Sequence, residues 1–88
     1  MAFEAILWDL DSDPEGNVQH CADHGVSQEE VEEVLDTATD FDVSRSSGRP
    51  VAFGDTSAGR HLMVVYERID DATIYPITAY EVPARHRR

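Results

Sequence analysis

Lysine is absent from this 88-residue chain, and arginine does not occur before Arg45. Thirteen of the eighteen acidic residues fall in residues 1–43 and all seven arginines in residues 44–88, so the formal net charge of -11 is unevenly placed. An acidic N-terminal half meets a mildly basic C-terminal half. Phosphate binding needs local positive charge, which confines any nucleic-acid contact to the second half. Cysteine is almost absent too. Cys21 alone excludes an intrachain disulfide and a four-cysteine zinc site. No apolar run approaches the roughly 18 residues of a membrane span. The N-terminus lacks the basic, apolar, small-residue order of a signal peptide, so a cytoplasmic location is expected. Internal repeats, low-complexity tracts and linkers are missing as well. The expectation is one domain over residues 1–83, followed by an Arg-rich, flexible tail over residues 84–88 with no apolar anchor.

What is present reads as two helices between strands. Phe3 to Leu10 predicts a first strand, with Ile6 and Trp8 on one side and Leu7 on the other. Asp13 as N-cap and Pro14 as first helical residue predict a helix that runs to His24 and stops at Gly25. Val18, Cys21 and Ala22 are its expected apolar stripe. Ser27 and Glu30 then form a capping box, flanked by Val26 and Val31 as a hydrophobic staple. Val31, Val34, Leu35 and Ala38 make the inner face of this second helix. Glu29, Glu30, Glu32 and Glu33 crowd its first turns, where the helix dipole favours negative charge.

Beyond Asp40 the pattern changes to strands. Phe41–Ser44, Val51–Asp55, His61–Arg68 and Thr73–Glu81 are separated by the turn-forming segments 45–49, 56–59 and 70–72. LMVVY within 61–68 is apolar on both faces, which marks the central strand. Pro76 predicts an edge or a bulge in the last one. The order β-α-α-β-β-β-β implies an α+β fold with two helices covering one face of an antiparallel sheet.

The strand FEAILWDL, then Asn17, then His24-Gly25-Val26-Ser27 with Glu29-Glu30 and Val34-Leu35, resembles the N-terminal half of BrnT-type toxins of the RelE/ParE superfamily. Gly54-Asp55-Thr56, Gly59-Arg60, Leu62 to Tyr66 and Ile77-Thr78-Ala79 resemble that family's sheet strands. The resemblance runs from about residue 3 to 82. It implies a RelE-like fold, two helices packed on a twisted antiparallel sheet. It also implies a metal-free endoribonuclease that inhibits translation as the toxin of a type II toxin–antitoxin system. The implied partner is a cognate DNA-binding antitoxin, with DNA reached only through it and oligomers formed through that partner or as a dimer. Where those toxins carry cations near the first helix, this chain has Gln19, His20, Cys21 and Asp23. Where their last strand continues into arginines, Tyr80-Glu81 stands here.

RNA cleavage without a metal requires an acid, a base and cations for the developing phosphorane charge. The candidate catalytic residues are His20, His24, Arg45, Arg49 and Tyr80. The candidate RNA or phosphate contacts are Ser47, Arg60 and Tyr66. The loop Ser44-Arg45-Ser46-Ser47-Gly48-Arg49-Pro50 offers hydroxyls and two forked guanidiniums, a set suited to phosphate or equally to a solvated surface loop. Asn17, His20 and His24 are spaced to share one helix stripe. An imidazole there can exchange protons near neutral pH or be a charge at the helix end. His20 and His24 also have the spacing of two metal ligands, with Asp9 or Asp13 the only guesses for a third, and no metal or other cofactor is expected. Tyr66 and Tyr80 can stack bases or pack the sheet. Glu67 and Glu81 are candidate bases if they lie beside Arg49. Cys21 reads as a small buried apolar residue. A second functional reading is a non-catalytic protein-interaction module on the same fold, using its acidic helical half or the exposed edge of its sheet.

Overall fold

The computed structural model describes residues 4–38 and 40–83. Its elements are β1 (Ala5–Ile6), α1 (Asn17–Asp23), α2 (Gln28–Thr37), β2 (Asp40–Val43), β3 (Pro50–Asp55), β4 (His61–Arg68) and β5 (Thr73–Glu81). The protein is therefore α+β, with both helices packed on a five-stranded sheet of order β1-β5-β4-β3-β2. β2 to β5 form an antiparallel meander, but β1 pairs with β5 in parallel, so the sheet is mixed rather than antiparallel. The cause is connectivity. Both helices and β2 to β4 separate β1 from β5, and a crossover of that length permits parallel pairing. Residues 84–88, where the tail was expected, lie outside the described residues, as does Phe3.

β1 is shorter than its apolar pattern predicts, for a chemical reason. Its ladder starts with Ala5 opposite Thr73 and Ile6 opposite Ile74, and the Leu7 N–H donates to the Ile74 carbonyl at 2.9 Å. The next rung would need an N–H from residue 76, and Pro76 has none. The Asn17 amide takes its place. Nδ2 donates to the Leu7 carbonyl at 3.0 Å and to the Pro76 carbonyl at 2.8 Å, while Oδ1 accepts from the Asp9 N–H at 2.9 Å. Asn17 is 1% exposed. Pro76 was expected at an edge or a bulge, and it stands beside a bulge: the β4–β5 register slips between Val65 and Tyr66.

The helices follow their capping signals, with one displacement. Residues 11–16 form turns, and α1 starts at Asn17 with Gly16 as N-cap, not at Asp13-Pro14. The Asp9 carboxylate explains the shift: its Oδ2 accepts from the Asn17 N–H at 2.9 Å, so the orphan donor at the helix start is satisfied from β1's trailing segment. The inner side of α1 is consequently Asn17 and Cys21. Val18 is half-buried and Ala22 is exposed, a rotation away from the apolar stripe expected. Gly25, at φ 76°, closes α1: its N–H bonds the Ala22 carbonyl at 2.8 Å and the Val26 N–H bonds that of Cys21 at 3.0 Å, a Schellman pair. The Ser27–Glu30 capping box forms on both sides. Val31, Val34 and Leu35 of α2 are buried against Ala52, Leu62 and Val64. Gly54 admits that contact, since a Cβ there would come within 3.1 Å of Val34 Cγ1.

Asp9 also accepts the Tyr75 hydroxyl. The phenol, more than the Asn17 N–H, holds the Asp9 carboxyl below its usual range, and the same bond pushes Tyr75 up to about 12. A raised folded pKa stabilises fully below the unfolded value of about 10, and that contribution is lost as pH rises towards about 12. Asp9 has the opposite sign: its contribution holds above about pH 4 and is lost as pH falls through the lowered folded value. Tyr75→Phe is expected to remove the ionisation near 12 from an ultraviolet tyrosine titration. Asn17→Ala strands the Asp9 N–H and two carbonyls at once. It is expected to cost about 2–3 kcal/mol, which for a domain of this size lowers the melting midpoint by roughly 10–20 °C in calorimetry.

Candidate functional site

Arg60 lies between the turn Thr56–Gly59 and β4, where Thr56 N–H bonds the Arg60 carbonyl at 2.8 Å and Thr56 Oγ1 accepts the Arg60 N–H at 3.2 Å. That turn aims the guanidinium across the sheet end towards α2. Nη1 lies 2.8 Å from each Glu30 carboxylate oxygen, and Nε lies 3.3 Å from Glu81 Oε1. Glu30 simultaneously accepts the Ser27 N–H at 3.1 Å. That backbone bond, and then Arg60, holds the Glu30 carboxyl below its ordinary range, while Glu30 pushes Arg60 up. The arginine offered by sequence as a phosphate contact thus ties the N-terminus of α2 to the end of β5. Glu81, a candidate base beside Arg49, is joined to Arg60 instead.

His24 is the C-cap of α1, and its ring lies 5.2 Å from that of Tyr80 on β5 at 44°. These two candidate catalytic residues are together. His20 stands exposed one turn earlier and adds to the lowering of Asp9, behind Tyr75 and Asn17. The sequence-expected stripe of Asn17, His20 and His24 is split, because Asn17 is inside and both imidazoles are outside.

Arg45, Ser47 and Arg49 occupy the loop between β2 and β3, and all three are exposed. Ser44 N–H bonds the Arg49 carbonyl at 2.7 Å, Gly48 N–H bonds that of Ser44 at 2.8 Å, and Ser47 Oγ accepts the Arg49 N–H at 3.3 Å. The loop is therefore shaped by its own backbone. Its distance from the His24–Tyr80 pair follows from the register. Tyr80 is opposite Met63, and Met63 is opposite Phe53, four residues beyond Arg49. Strand rise and spacing then separate the Arg49 and Tyr80 backbones by about 16 Å. The structure brings His24 to Tyr80, ties Arg60 to Glu30 and Glu81, and sets the loop of Arg45 and Arg49 well away from Tyr80.

Tyr66, a candidate for base stacking, is 4% exposed and packs in the core with Val64 and Ile74. Among the described residues, no group of three or more His, Cys, Asp or Glu side chains is arranged to hold a metal ion. No helix among them is long and apolar enough to cross a membrane.

Two features were missed by sequence reasoning. His61 Nδ1 lies 2.8 Å from Asp55 Oδ1, and the imidazole stacks on Phe53 at 6.2 Å and 11°. Its Nε2 is buried with no hydrogen-bond partner among the described residues, and Thr78 Oγ1 shares that condition. Asp55 and His61 flank one turn and face each other across the β3–β4 ladder, a spacing that was legible. The second is an open groove of about 510 Å³ between β1 and α2, lined by Ile6 and Leu35 and by the carboxylates of Glu4, Glu29, Glu32, Glu33 and Asp36.

Cys21 is fully buried, and burial pushes its thiol up to about 11. A thiolate is the reactive form, so alkylation at neutral pH is expected to leave the folded protein unlabelled and to label it fully in denaturant, read by mass spectrometry. Comparison with protein families, curated proteins and solved structures gives no match to this chain.

Proposed function

We propose that this protein is a non-catalytic protein-interaction module on a RelE-like scaffold. Two helices on one face of a sheet, with an antiparallel meander completing it, support the scaffold. The observation that carries the functional reading is the pairing of Arg60 with Glu30 and Glu81. Phosphodiester cleavage needs a positive group within hydrogen-bond reach of the phosphorane oxygens, beside the acid and the base. Here the Arg60 guanidinium is already occupied by two carboxylates. Arg45 and Arg49 project from a distant loop, so neither stands beside the imidazole–phenol pair of His24 and Tyr80.

The acidic layer supports a protein ligand instead. Glu29, Glu32, Glu33 and Asp36 present their charge on α2 around a groove floored by Ile6 and Leu35, an arrangement that repels RNA and attracts basic protein surface. Induced expression in a bacterial host, scoring growth and RNA integrity, tests the reading against the toxin alternative. Wild type and Arg49→Ala are both expected to leave growth and ribosomal and messenger RNA unchanged. Growth arrest with RNA cleavage by wild type, relieved in Arg49→Ala, would establish the endoribonuclease and end the interaction reading.

A further inference from the structure

We infer that β2 is a docking edge that accepts an extended segment of another protein, one whose residues alternate between apolar and basic. The inference deepens the interaction reading above and rests on it. β2 is the last strand of the sheet, and all four of its residues are exposed. Its partners across β3 are Asp40–Phe53, Phe41–Ala52, Asp42–Val51 and Val43–Pro50. The Ser44–Arg49 backbone bond sets the alternation of the ladder, so Asp40 and Asp42 turn their backbone groups towards β3. Phe41 and Val43 turn theirs outward. Pro50, without an N–H, fits opposite Val43, where β3 needs no donor. The outward Val43 N–H is held by its neighbour's side chain, Asp42 Oδ1, at 2.8 Å. An arriving carbonyl would compete for that donor.

The side chains of β2 divide by face. Phe41, opposite the buried Ala52, lies on the helix side with Val43, and the two are 46% and 59% exposed because α2 covers β3 and β4 but not β2. Asp40 and Asp42 lie on the other face. The strand therefore offers an apolar row on one side and a carboxylate row on the other, with outward-facing backbone groups between them. An added strand bonds the backbone and selects by alternate side chains.

A second copy of this chain does not fit. Two β2 strands related by a twofold axis through Phe41 would set Asp40 against Asp42 twice. An axis through Asp42 would set that carboxylate against itself. Like charges directly opposed destabilise a ladder, and charged edge strands suppress self-pairing. Charge complementarity instead selects Lys or Arg opposite Asp40 and Asp42, with aliphatic residues opposite Phe41 and Val43.

The test uses the full chain and a synthetic hexapeptide of alternating valine and lysine. Binding is followed by isothermal titration and by amide hydrogen exchange. The expected result is saturable binding with at least tenfold slower exchange at the Phe41 and Val43 amides. Affinity should fall at least tenfold for Asp40→Lys/Asp42→Lys, for Phe41→Pro (which deletes an outward donor), and for a peptide N-methylated on the edge-facing amides. Phe41→Ala, a milder change, should fall severalfold and guards against misfolding of the proline variant. Equal affinity for the N-methylated peptide, or protection confined to Glu29, Glu32, Glu33 and Asp36, would overturn the edge while leaving an interaction module on α2. A stable homodimer that protects Phe41 in the free protein would overturn the choice of a foreign partner.

Discussion

One buried side-chain amide joins the two ends of this fold. Asn17 meets a carbonyl of the chain leaving β1, a carbonyl of β5 and an N–H of the β1–α1 connection, and its own N–H is held by Asp9. Inside a protein such groups are costly when left without partners, and their bonds are strong for the same reason. The site arises because proline interrupts the ladder between β1 and β5. A strand would have supplied the missing donor from its backbone, and here a helix supplies it from a side chain. Tyr75 closes the network through Asp9, so one region binds a strand, a helix start and a second strand without further apolar area.

The charge asymmetry of the sequence takes a definite form in three dimensions. The acids of α2 serve first as structure: Glu30 caps its own helix and clamps Arg60, Glu32 accepts the Trp8 indole N–H at 2.8 Å, and Glu33 accepts the Ser57 N–H at 2.9 Å. These contacts hold the helical layer to both ends of the sheet. Exposed pairs of this kind add little stability singly, but they fix the geometry of the acidic surface.

Local chemistry made much of the fold legible. The capping box, the glycine at the end of α1, the strand pairs of the meander and the proline bulge each rest on neighbours within a few residues. The parallel partner of β1 did not, because nothing near Ala5 names Thr73. The start of α1 was misplaced for a similar reason: Asp13-Pro14 is a sound local signal, and Asp9 overrides it with a contact across eight residues. In the candidate site, the His24–Tyr80 meeting joined two residues chosen singly. The fate of Arg60 was hidden, since both of its carboxylates come from distant elements. Tyr66 stayed open between stacking and packing because an aromatic beside apolar strand residues reads alike whether it faces solvent or core.

β1 contributes two residues of ladder, and those residues find their partners almost seventy positions away. The meander and the α1–α2 pair close over short loops, whereas this contact must await both ends of the chain. Long-range closure of this kind slows folding, and an element with so few rungs opens at lower free energy than the strands inside it. The N-terminal strand is thus the natural last arrival in assembly and the first departure in partial opening, and its leaving would bare a second flank of the sheet at β5.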